Sequence, residues 1–164
     1  MPKQQPKYLD KTVKEWIKTL EQGDALLRRL AVYALGEMGP DAKDAIPALK
    51  KVLTSKDEES FVKVWAAAAL AKIDPKNELI VPTLRDCMHD EEFGFVRSLA
   101  AWHAGRNRHL PGVLALQKDL ENLIDSDPDQ NVQAEAKIAL LRMHGKTGSP
   151  LELTCMSRQP AFSS

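Results

Sequence analysis

The sequence predicts an all-α superhelix, a solenoid of about four stacked helix pairs, and two observations carry that expectation. The stretch Val62-Lys63-Val64-Trp65-Ala66-Ala67-Ala68-Ala69-Leu70-Ala71-Lys72-Ile73 has copies on both sides: Leu27 to Met38 upstream, then Val96 to Ala101 and Val132 to Met143 downstream. Their period of about 35 residues lies in the range of helix-pair solenoids. Composition agrees, since 43% apolar but only 5% aromatic residues in a chain of 164 describe a core of Ala, Leu and Val.

The elements follow in order. In repeat one, residues 9–39, Asp10-Lys11-Thr12 offers a helix cap, and Val13, Trp16, Ile17 and Leu20 share one face at helical spacing. Gln22-Gly23-Asp24 breaks that helix. The Leu27–Met38 helix follows and closes at Gly39-Pro40, a residue that tolerates left-handed geometry and then one that cannot continue a helix. Repeat two, 41–74, carries Ile46, Leu49, Val52 and Leu53 inward, with Pro47 inside the helical pattern, where a kink is expected. Val81-Pro82-Thr83-Leu84 repeats that arrangement in repeat three, 77–108, which turns at His89-Asp90-Glu91-Glu92. Repeat four, 110–143, has the stripe Val113, Leu116, Leu120, Leu123 and Ile124, a turn at Asp125-Ser126-Asp127-Pro128, and the Val132–Met143 helix. Residues 144–164 show no period and are expected to form a mobile, dispensable tail.

Charge and cysteines narrow the function classes. The 23 basic and 23 acidic residues cancel, so no global field draws the chain to nucleic acid or an anionic membrane. Cys87 and Cys155 form no disulfide framework and no CxxC pair. The polar start Met1 to Lys7 lacks the apolar run of a signal peptide, and no segment has the roughly 18 apolar residues of a span, so a soluble, cytoplasmic chain is expected.

The pattern Val62-Lys63, Ala66-Ala67, Ala69-Leu70 and Ile73, matched by Arg28, Ala31, Ala34-Leu35, Met38 and Gly39-Pro40, resembles HEAT-like repeats of the phycobilisome-lyase type. The resemblance covers residues 9–143. It implies helix pairs stacked into a right-handed superhelix, most often a scaffold or docking module and in a minority of members a chromophore-attaching enzyme. Repeat three departs from the pattern, with His103-Ala104 in place of Ala-Leu and Asn107 in place of an aliphatic residue. Its inner helix is expected to end early or pack loosely.

Projected at about 100° per residue, Val62, Ala66, Ala69, Leu70 and Ile73 face the paired helix, while Val64, Ala67, Ala68 and Ala71 point the other way, which the resemblance to HEAT-like solenoids makes the concave surface. Tyr33, Ala68, Trp102 and Ile138 occupy one equivalent concave position, with Arg29 a turn before Tyr33. Two aromatics over an alanine floor make a groove for an apolar peptide or helix. Leu30, Trp65 and Leu99 share an edge position expected to stack on the following repeat, where Glu135 marks the solenoid's end. Arg28, Lys63 and Arg97 form a further equivalent set, expected to make structural ion pairs.

No catalytic constellation accompanies these faces. The four histidines make no HExxH or other metal-ligand spacing, and there is no GxSxG or phosphate-cradling glycine loop. Neither a metal nor a cofactor is implied. The expected function is therefore a protein-interaction scaffold that holds a partner peptide or helix on Arg29, Tyr33, Ala68, Trp102 and Ile138, with no nucleic-acid or membrane partner. The alternative, suggested by the resemblance, is a lyase-like or accessory enzyme using the polar cluster His103, Arg106 and His109.

Overall fold

The computed structural model describes residues 6–145. The expected tail from residue 146 onward, with Cys155, lies outside the described residues.

The described residues form eight α-helices preceded by a two-stranded hairpin: β1 (Lys7–Tyr8), β2 (Lys11–Thr12), α1 (Val13–Gln22), α2 (Ala25–Met38), α3 (Ile46–Thr54), α4 (Ser60–Ile73), α5 (Ile80–Met88), α6 (Gly94–Arg106), α7 (Gln117–Ser126) and α8 (Gln130–Met143). Consecutive helices pair as α1–α2, α3–α4, α5–α6 and α7–α8, and the second helix of each pair lies beside the next, α2 on α4, α4 on α6, α6 on α8. This is an all-α repeat solenoid of four helix pairs. None of its helices is long and apolar enough to cross a membrane.

Local chemistry sets the boundaries. Thr12 caps α1 in a reciprocal box, its hydroxyl accepting from the Glu15 amide while the Glu15 carboxylate accepts from the Thr12 amide at 2.7 Å. Asp24 caps α2 by accepting from the Leu27 amide. Gly39, with φ of 56°, ends α2 in a conformation that a side chain disfavours. The hairpin was not foreseen: Leu9 and Asp10 both adopt positive φ to make its turn. It lies against α1, where the Trp16 indole donates to the Tyr8 carbonyl at 3.0 Å.

Two expectations need correction, the kinks at Pro47 and Pro82 and the early end of α6. Pro47 and Pro82 fall in the first turns of α3 and α5, where no intrahelical amide is required, so they start helices rather than kink them. The chain enters α3 and α7 through 3-10 turns, Gly39–Ala45 and Val113–Leu116. And α6 does not end early; it runs 13 residues against 14 for α2, α4 and α8.

The core is continuous along the stack. At its centre α4 is buried almost all round: Val62, Val64, Ala66, Ala67 and Leu70 have no exposed surface, and Ala71 has little. Val64, Ala67 and Ala71 thus do not line an open concave face, because neighbouring helices cover both flanks of α4. The edge set also differs from expectation. Leu30 is exposed, Trp65 and Leu99 are half-buried, and Glu135 is itself half-buried, 3.6 Å from Arg142, with its carboxyl pushed up by desolvation.

Candidate functional site

The inner helices do not pack evenly, and the sequence accounts for it. Where α2 meets α4, Gly36 lies against Ala69; where α6 meets α8, Gly105 lies against Ala139. Glycine facing alanine lets two helix backbones approach closely. At the α4–α6 junction the equivalent positions hold Ala71 and His103, both larger, and these two helices touch over much less of their length.

A second regularity fails at the same place. Arg28 reaches Glu58, 30 positions on, at 3.1 Å and also donates to the Gly23 carbonyl; Arg97 grips Asp127 at 2.6 and 2.9 Å and donates to the Asp90 carbonyl. Each guanidinium ties the first turn of one inner helix to the turn that precedes the next. The Arg97–Asp127 pair is nearly buried, and the Arg97 hydrogen bond holds the Asp127 carboxyl below its usual range. Between them, the position 30 on from Lys63 holds Phe93 instead of an acid, and Lys63 makes no ion pair among the described residues. Of the expected Arg28, Lys63 and Arg97 set, two make the pairs and Lys63 does not.

Two neighbouring cavities open across α2, α4 and α6. The first, about 300 Å³, has Gly36 and Ala68 as floor, Tyr33 and Glu37 on the α2 side, Trp65 and Lys72 along α4, and Trp102, His103 and Arg106 on the α6 side. Its aromatic rings form a chain of edge-on contacts: Tyr33 to Trp65 at 5.9 Å, Trp65 to His103 at 5.4 Å, His103 to Trp102 at 4.7 Å. Arg106 lies over the Trp102 ring at 4.8 Å, and Lys72 pairs with Glu37 at 2.6 Å. His103 is 6% exposed, and desolvation, with Lys72 and Arg106 nearby, lowers its pKa to about 4; its Nε2 has no hydrogen-bond partner among the described residues. It is a neutral imidazole wedged between two indoles at physiological pH.

The second cavity, about 790 Å³, lies over the first turns of α4 and α6 and is lined by Arg29, Glu58, Glu59, Phe61, Asp90, Glu92, Phe93 and Phe95, among others. Phe61 stacks on Phe95 at 5.7 Å and meets Trp65 edge-on at 6.3 Å, joining the two cavities through one aromatic ridge.

Of the sequence-derived concave set, Tyr33, Ala68 and Trp102 line the first cavity, Arg29 lines the second, and Ile138 on α8 lines neither. Of the polar cluster, His103 and Arg106 enter the first cavity, whereas His109 is exposed in the turn after α6 and outside it. Trp65, Phe61, Phe93 and Phe95 were not foreseen as lining residues, although Phe61, Trp65, Ala68 and Lys72 stand at a helical spacing that marks one stripe of α4. Cys87 is buried, which pushes its thiol up to about 12 and keeps it un-ionised at neutral pH.

The model of one protein family, described as HEAT repeats, matches residues 13–105, which hold both cavities' helices α2, α4 and most of α6. No curated protein matches the chain significantly.

Proposed function

This chain belongs to the HEAT repeat family, and from that premise we propose that it is a protein-interaction scaffold whose concave face, across α2, α4 and α6, receives an apolar segment of a partner protein. One observation carries the reading: the solenoid's inner surface opens at the α4–α6 junction into an aromatic-walled cavity over a Gly36–Ala68 floor. Tyr33 on its rim is 41% exposed, and Phe93 and Phe95 in the neighbouring second cavity are 53% and 63% exposed. Contiguous exposed aromatics of this kind mark interaction surfaces.

The repeat pattern around Val62–Ile73 supports the phycobilisome-lyase subtype of HEAT-like repeat. A lyase-like activity is the weaker reading, because it needs His103, Arg106 and His109 to converge, and His109 stands apart while His103 is a poor proton acceptor. The test is co-purification with the Tyr33→Ala/Trp102→Ala double variant, checked for folding by circular dichroism. Proteins held by the wild type and released by the double variant support the scaffold reading; identical retention removes it.

A further inference from the structure

The second cavity differs in chemistry from the first, and that difference says something about the partner. Phe61, Phe93 and Phe95 supply three aromatic rings within a rim of Glu58, Glu59, Asp90 and Glu92. Arg28 and Arg29 balance Glu58 and Glu59. Asp90 and Glu92 enter no ion pair among the described residues. The N-termini of α4 and α6 together offset about one unit of the Asp90 and Glu92 charge, and Lys63 does not line the cavity, so roughly one negative charge remains on its rim. Asp90 stays ionised: desolvation raises its carboxyl, but hydrogen bonds from Ser60 and the amides of Phe93 and Glu92, with Arg97 nearby, bring it below its usual range.

Aromatic faces inside a ring of carboxylates attract a cation by ring quadrupole and by charge together. The chain already demonstrates this on one ring, for Arg29 lies over Phe61 at 4.7 Å. Phe93 and Phe95 are more than half exposed, and neither Phe93 nor the face of Phe95 turned away from Phe61 carries a cation among the described residues.

We propose that this cavity seats a lysine or arginine side chain of the same partner segment whose apolar residue fills the first cavity, over Gly36 and Ala68. The proposal rests on the docking reading above and adds a charge and a spacing to it. From Phe61 to Ala68 is seven residues of α4, about 11 Å along the helix axis. A segment lying along α4 therefore carries its basic residue three or four positions from its apolar anchor if extended, at about 3.3 Å per residue, or seven positions away if helical.

The experiment is selection of a random peptide-display library against the full chain, with the enriched peptides then synthesised, fluorescently labelled and titrated by anisotropy. Expected are peptides with a lysine or arginine at one of those spacings from an aromatic or large aliphatic residue. Glu92→Lys and Phe95→Ala, both at exposed positions, should each weaken them about tenfold, and Trp102→Ala more. Peptides that depend on Trp102 but carry no basic residue, or are indifferent to Glu92→Lys, overturn the cation seat and leave the docking reading standing. Peptides indifferent to Trp102→Ala and Tyr33→Ala, or no enrichment at all, overturn both. A dimer of the chain that Trp102→Ala dissociates identifies a second copy as the occupant and likewise ends the proposal.

Discussion

Substituting the two interface glycines one at a time tests why the helix stack opens between α4 and α6. A Cβ at Gly105 would stand 2.5 Å from the Ala139 Cα and 2.9 Å from its Cβ. The atoms struck belong to backbone and cannot swing aside, so α6 and α8 must part by about 1 Å to reach ordinary contact near 3.5 Å. Overpacking of this kind costs about 3 kcal/mol, the upper end of its usual range. Alanine's better helix propensity offsets about 1 kcal/mol of it, leaving Gly105→Ala about 2 kcal/mol less stable. At Gly36 the added Cβ meets the Ala69 Cα and Cβ at 3.2 Å, a few tenths of an ångström too close. That cost is of the same size as the propensity gain of about 1 kcal/mol, so Gly36→Ala should be near neutral. Urea unfolding followed by far-UV circular dichroism measures both. If Gly105→Ala is as stable as the wild type, or Gly36→Ala is the more damaging of the two, the close-approach account of the helix spacing is wrong.

Other expectations follow from the same geometry. The clasp at Arg97–Asp127 is nearly buried, so Asp127→Ala, which strands the guanidinium, should cost about 3 kcal/mol, while Lys63→Ala, which breaks no ion pair among the described residues, should change stability by less than about 0.5 kcal/mol. Trp65 is half-buried in the groove rather than sealed between repeats, so Trp65→Ala should cost about 2 kcal/mol, below the 3–5 kcal/mol typical of a fully buried aromatic. His103 has a folded pKa of about 4 against an ordinary 6.5. The unfolded chain then binds more protons between those values, and stability should fall by roughly 3 kcal/mol as pH drops from 6.5 to 4. The raised carboxyl of Glu135 opposes this slightly at the acid end, and the depressed carboxyls of Asp90, Asp119 and Asp127 act at lower pH still. Denaturation midpoints across that pH range should flatten in His103→Leu; an unchanged slope would mean that another group titrates.

The repeat fold was legible because its determinants are local and recur: the Val-basic, Ala-pair and Ala-Leu positions return every period, and Gly39-Pro40 and Asp24 punctuate them. The roll of each inner helix was not, because a single helix projected alone does not reveal which flank its neighbours cover. That is why Ala71 and Val64, placed on the concave face, are buried, and Trp65, placed at a stacking edge, lines the groove. The decisive clues were pairwise. Gly36 with Ala69 and Gly105 with Ala139 stand against Ala71 with His103, and Arg28 with Glu58 and Arg97 with Asp127 stand against Lys63 with Phe93. Such pairs appear in sequence only when one repeat is aligned with the next at offsets of 30 and about 33, not when equivalent positions are compared.

The central claim, that a partner sits on the face made by α2, α4 and α6, is tested most directly by site-specific photocrosslinking. A p-benzoylphenylalanine placed at Tyr33 on α2 should crosslink the partner that co-purifies with the wild-type chain, and the same group at Asp86, on the exposed side of α5, should not. Crosslinking from Asp86 with none from Tyr33 would place the partner elsewhere and contradict the account.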